Sequence, residues 1–218
     1  MIFYNEQNAF ESEKERNFYY KIFAGYIFNE FISGYENRIN MFVDTLQKTR
    51  YKGPNAQEIT SLDINSVRVS FDNHIYLLES DSTDRGEFAD ILIQDATNKI
   101  LIPIEAKFYD DWTYEKDIIE NSTRHKVLMK LLPDAKIIPL LIITEKKWKE
   151  CIDHQNHKAS NYKKLIDNKR NNFRVLCWED LRPLVADNAR LLNYINGRLN
   201  ITNKNKMRVN IKDNWFFR

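Results

Sequence analysis

Three residues near the middle of the chain have the types and spacing for metal-assisted chemistry: Asp90, Glu105 and Lys107. They lie in the run Glu87-Phe-Ala-Asp90-Ile-Leu-Ile-Gln-Asp95-Ala-Thr-Asn98-Lys-Ile-Leu-Ile-Pro-Ile-Glu105-Ala-Lys107. Two apolar stretches, Ile91–Ile93 and Ile100–Ile104, flank a short polar cluster, and turn formers between two β-rich runs predict a β-hairpin. Side chains alternate faces along a strand, so Glu105 and Lys107 share one. A turn about Ala96–Thr97 sets Asp90 opposite Pro103 and diagonal to Glu105, about 7–8 Å away at the backbone. A slip of one residue would send Asp90 to the other face. Two carboxylates held that close repel unless a proton or a cation intervenes. One or two acids, completed by water and phosphate oxygens, describe a Mg2+ site, and such an ion activates water and stabilises the leaving oxygen in phosphodiester hydrolysis. A lysine beside it stabilises charge building on phosphorus, or orients and deprotonates the attacking water.

An arbitrary Glu-x-Lys is most often a solvated sheet face with a surface salt bridge. Here the neighbours are Ile, Leu and Pro, and charges among such residues are uncommon unless paired or functional. Asp90, fourteen residues, then Glu105-Ala106-Lys107 resembles the signature of the PD-(D/E)XK nuclease superfamily, which includes restriction endonucleases, Holliday-junction resolvases and recombination nucleases. Ala89 stands where the name-giving proline would be. The resemblance covers residues 88–108 at the level of the motif and roughly Glu11 to Leu181 in element order. It implies an α/β/α sandwich around a central mixed sheet, and a Mg2+-dependent deoxyribonuclease in which Mn2+ can substitute. It further implies Asp90, Glu105 and the backbone carbonyl of Ala106 as metal ligands and Lys107 as the catalytic cation. Members of that superfamily place a metal-linked glutamate early in the first helix. Glu15 is the best match and Glu30 its rival, although a glutamate also simply favours a helix N-terminus. The implied partner is DNA, with RNA a weaker reading, in microbial defence or in repair. The implied assembly is a homodimer or a subunit of a larger complex, and the rival function is a subunit that binds nucleic acid without cutting it.

Composition sets bounds. The 218 residues suffice for one α/β domain with a small appendage, expected as a body over 1–197 and a basic tail over 198–218 that docks on the body or on a partner. No apolar run approaches the ~20 residues of a membrane helix, no signal peptide is apparent at the N-terminus, and two cysteines make no disulfide framework; a cytoplasmic setting is expected. The net charge of +2 is unevenly spread. Residues 54–120 hold 15 acids and 5 bases, residues 146–174 hold 9 bases and 3 acids, and residues 198–218 hold 6 bases and 1 acid. An acidic centre with basic flanks fits a metal site beside a phosphate-binding rim, although the segment 146–174 alone fits lysines that simply solubilise helices about as well.

Elements must position these groups. A capping-box pattern at Ser12–Glu15 predicts a helix over 13–33 that stops at Gly34, followed by a helix over 36–49. Alternating Ile64, Val67, Val69 and Phe71 predict a strand, Asp72–Asn73 a turn, and 74–78 a second strand. Glu79 and Glu87 are accessory acids with solvation as their ordinary role. After the hairpin, a helix over 113–132 offers Tyr114, Lys116, Asn121, Arg124, His125 and Lys126 toward DNA, each equally at home as a surface or packing residue. The run 136–144 predicts a buried strand interrupted at Pro139. Short helices are expected at 145–152 and 162–167, a strand at 173–178, and a helix over 179–196. Cys151, His154 and His157 match no usual zinc spacing.

Overall fold

The computed structural model describes residues 15–74, 87–108, 112–153 and 158–199. The two apolar runs pair as an antiparallel hairpin of β3 (Glu87–Asp95) and β4 (Ile100–Ala106). The pairing matches Ile91 with Ile104, Leu92 with Pro103 and Asp95 with Ile100. The loop is therefore four residues, Ala96 to Lys99, and Lys99 takes a positive φ of 51°. A two-residue turn at Ala96–Thr97 does not form. Asp95 explains why: its carboxylate is 1% exposed and gathers four donors. Asp63 N and Asn98 Nδ2 donate to Oδ2, each at 2.7 Å, while Ser66 Oγ and Asn98 N donate to Oδ1 at 2.6 and 3.1 Å.

Around the hairpin the sheet is mixed. β2 (Val67–His74) lies antiparallel to β3, and β6 (Leu140–Ile143) lies parallel to β4 and to β7 (Arg174–Cys177). The two-residue β1 (Tyr51–Lys52) lies antiparallel to β7, while β5 (Lys136–Ile137) runs parallel to the start of β4. Strand order is β1-β7-β6-β4-β3-β2. The run from 136 splits at Ile138–Pro139, as a residue without an N–H requires; the freed carbonyl of Pro139 accepts from Arg174 N at 2.9 Å. Asp72 and Asn73 make no turn: they sit inside β2, where Asn73 pairs with Ala89 and the register shifts at Asn73–His74. Residues 75–78 lie outside the described residues, as do Glu79, His154, His157 and the tail from 200.

Helices cover both faces. α1 (Glu15–Ile22) runs on into a π-helical turn (Phe23–Ile27), and with α2 (Tyr35–Gln47), a 3-10 stretch (Trp178–Val185) and α6 (Ala189–Leu199) it packs on Ile91, Ile93, Ile102, Ile104 and Ile142. On the other face, Leu141, Ile143 and Val175 meet Trp112, Ile118, Trp148 and Leu165 from a π-helical segment (Tyr114–Glu120), α4 (Glu145–Ile152) and α5 (Ala159–Asp167). α3 (Asn121–Leu131) continues that π segment, and its Leu128 packs with Leu101 and Ile137. The architecture is thus α/β with a central mixed sheet. The first helix ends at Ile27, six residues short of expectation. Arg38, 2% exposed, takes up the loop carbonyls instead, donating to Tyr26 O, Asn29 O, Ile32 O and Ser33 O at 2.5–3.1 Å. Gly34, with φ 77°, supplies the left-handed residue that opens α2. The boundary expected at 197 falls within α6. No described helix is long and apolar enough to cross a membrane.

Burial works against the Asp95 charge, but the four donors outweigh it and hold the carboxyl below the usual carboxylate range. Its contribution is therefore complete above about pH 4, the unfolded value, and is lost as pH falls through the folded pKa. Asp95→Ala is expected to lower unfolding free energy by about 3 kcal/mol at pH 7. That deficit should shrink below pH 4, as urea denaturation at the two pH values would reveal.

Candidate active site

β4 ends where its parallel neighbour β6 still continues, and Lys107 N donates to Ile142 O at 2.8 Å as the strand leaves the ladder. Glu105 and Lys107, two apart, project to one face as expected, and the Lys107 ammonium hydrogen-bonds Glu105 Oε1. Asp90 joins them from β3: its Oδ2 accepts from Ala106 N at 2.7 Å. The observed register, continued by one residue from Ile91–Ile104, sets Asp90 directly across from Glu105 rather than diagonal to it. The difference from expectation is two residues, an even number, so the face is unchanged. The hairpin thus gathers all three groups at the end of β4.

The next helix brings two more. Thr113 caps the π-helical segment, its hydroxyl accepting from Lys116 N at 3.3 Å. Asp117 is fixed to the same cap, with Asp117 N donating to Thr113 O at 2.9 Å and Thr113 N donating to Asp117 Oδ2 at 2.6 Å. Its other oxygen, Oδ1, accepts no hydrogen bond and lies 3.5 Å from Lys107 Nζ. One turn on, Asn121 Nδ2 donates to Glu105 Oε2 at 3.2 Å and to Asp117 O at 3.1 Å. Both are almost fully buried, at 1% and 3% exposure. A π turn widens the helix by one residue per turn, and this one carries Asp117 at the edge of the cluster.

Lys107 is therefore a half-buried counter-ion. Burial alone would favour the neutral amine. The charge of Glu105 and its hydrogen bond, then the charges of Asp117 and Asp90, outweigh that and push the ammonium pKa above its ordinary value. In this arrangement the ammonium form of Lys107 is the favoured one. Burial raises the Asp117 carboxyl, with the Thr113 N–H and Lys107 pulling the other way.

The remaining expectations divide. Asn121 reaches the cluster, as a ligand to Glu105 rather than to an outside molecule. Tyr114 packs inward, its hydroxyl accepting from Asn168 Nδ2 at 2.8 Å. His125 is 3% exposed, its ring 5.5 Å from that of Phe173. Lys116 and Lys126 are exposed. Glu15 begins α1 and Glu87 begins β3, but the side chains of Glu15, Glu87 and Arg124 lie outside the described residues. Glu30 is exposed in the turn after the first helix. Asp117 escaped the sequence reading. Its signal was a polar stripe at helical spacing, Asp117, Asn121 and His125, which faces inward.

As a metal centre, Asp90 and Glu105 supply two hard carboxylates on adjacent strands, enough for a Mg2+ ion that keeps most of its waters. Among the described residues no group of three or more Asp, Glu, His or Cys side chains is placed to hold a metal ion, so any ion there would rest on these two carboxylates and water. A concavity of about 500 Å3 lined by residues of α4 with Glu179 shares no residue with the cluster. Its open, charged lining offers no comparable convergence. No protein-family model matches the chain, and no curated protein or solved structure matches it.

Breaking a buried ion pair strands the remaining charge. Lys107→Met leaves Glu105, Asp117 and Asp90 without their ammonium and is expected to cost about 3 kcal/mol at pH 7. Chemical denaturation of the two proteins without divalent cations measures this, and an unchanged midpoint would contradict the counter-ion role.

Proposed function

We propose that the chain is a Mg2+-dependent deoxyribonuclease that hydrolyses phosphodiester bonds, with Mn2+ able to substitute. The observation that carries this reading is the convergence of Asp90, Glu105 and Lys107 at the end of β4. Asp90 and Glu105 would hold the ion, with the Ala106 carbonyl as a further ligand. Once bound, the ion supplies an activated water and charge stabilisation at the phosphate. Asn121 orients Glu105 through Oε2, which fixes the angle from which that carboxylate meets a cation. Lys107 offers a fixed positive charge to the phosphate oxygens as negative charge grows on them. The basic stretch 146–174 supplies sequence-independent attraction for a phosphate backbone. The setting proposed is microbial defence or DNA repair, with defence favoured, and action as a homodimer or within a larger complex.

A second reading, a subunit that binds nucleic acid without cutting it, has its own support. Both Glu105 oxygens are engaged, one by Lys107 and one by Asn121, as a purely structural cluster would have them.

Plasmid DNA and a structured RNA, each incubated with Mg2+ or with EDTA, separate these readings. DNA cleavage that EDTA abolishes, and that falls at least ~100-fold in Asp90→Asn, Glu105→Gln and Lys107→Met, is the expected outcome. Undiminished cleavage by Lys107→Met contradicts the assignment of roles. Binding without cleavage of either substrate favours the second reading, and preferential cleavage of RNA replaces the substrate.

A further inference from the structure

We infer that Asp117 is the seat the Lys107 ammonium takes when a divalent cation claims Glu105, which makes Asp117 a positioning residue of the loaded site. The inference rests on the metal-dependent reading above. Both Glu105 oxygens accept a hydrogen bond in this structure, Oε1 from the ammonium and Oε2 from the Asn121 amide. A cation on Glu105 competes with both for the carboxylate charge. Asn121 is neutral and is tied by the same nitrogen to Asp117 O, whereas Lys107 is positive and repels the incoming ion. The ammonium is the group that yields.

Where it goes is set by geometry. Lys107 is anchored at its backbone to Ile142 O, and its side chain is only 16% exposed. Asp117 Oδ1 already lies 3.5 Å from Nζ, buried and accepting no hydrogen bond. A charge-assisted bond needs about 2.8 Å, so a displacement of less than ~1 Å completes it. Asp117 itself cannot swing away, because Thr113 N holds its Oδ2 at 2.6 Å at the helix cap. A carboxylate oxygen kept dry with one acceptor position unfilled is costly unless something uses it. Its use is to keep the ammonium beside the phosphate after Glu105 has exchanged partners, rather than to bind the metal.

The test is a double-mutant cycle read by Mn2+ binding in calorimetry, with the full chain, for wild type, Asp117→Asn, Lys107→Met and the double variant. Without Asp117 the ammonium stays on Glu105 and competes with the ion. Asp117→Asn is therefore expected to weaken Mn2+ binding roughly tenfold when Lys107 is present, the size of an ordinary coupling between linked events, and to change it little in the Lys107→Met background. Equal weakening in both backgrounds would mark Asp117 as a plain electrostatic contributor, and no weakening in either would remove it from the site; both overturn the inference while leaving the metal reading intact. Failure of the wild type to bind Mn2+ overturns both. A measurement without substitutions guards against misfolded variants: in lysine-15N-labelled wild type saturated with Ca2+, the Lys107 ammonium signal should stay protected from solvent exchange. Its merging into the bulk lysine signals overturns the proposal.

Discussion

The register of one hairpin decides whether Asp90, Glu105 and Lys107 meet at all. Strand side chains repeat every two residues, so an odd slip between β3 and β4 would turn Asp90 away from Glu105. Apolar residues alone hold that register loosely, because Ile91–Ile93 and Ile100–Ile104 are apolar on both faces. Asp95 removes the ambiguity. Its carboxylate draws donors from the loop at Asp63 and Ser66 and from Asn98 in the turn itself. Any other turn length would separate at least one of those donors from a buried negative charge.

The same dependence on charge runs through the site. Three carboxylates and one ammonium share a small, largely buried volume at the end of β4, and Lys107 is the positive charge that offsets the repulsion among the acids. The helix after β4 closes the arrangement with a buried polar stripe in place of an apolar one, and pays for it with fully committed hydrogen bonds at Asp117 Oδ2 and Asn121.

How far the sequence revealed this follows from which signals are local. The period of two placed Glu105 and Lys107 on one face, and the turn formers located the hairpin, because both are properties of adjacent residues. The exact partner of Asp90 was off by two, since loop length depended on Asp95 reaching Asp63 and Ser66, some thirty residues away in the chain. The early end of the first helix is similar: Arg38, from the next helix, takes the carbonyls that a longer helix would have bonded internally. Pro139 was legible because a missing N–H acts wherever it stands. Asp117 was not, because an acid near a helix start usually serves the helix dipole, and only the fold shows that this one faces inward.

The anchoring Asp95 ends β3, and Asp90 of the charged cluster lies toward the start of the same strand. Five residues separate Asp95 from Asp90 in β3, about 17 Å of extended chain. Changes that firm or loosen the loop end can therefore accumulate without altering the electrostatics at the far end. Such a layout lets robustness of the fold and the arrangement of the charged cluster be selected separately.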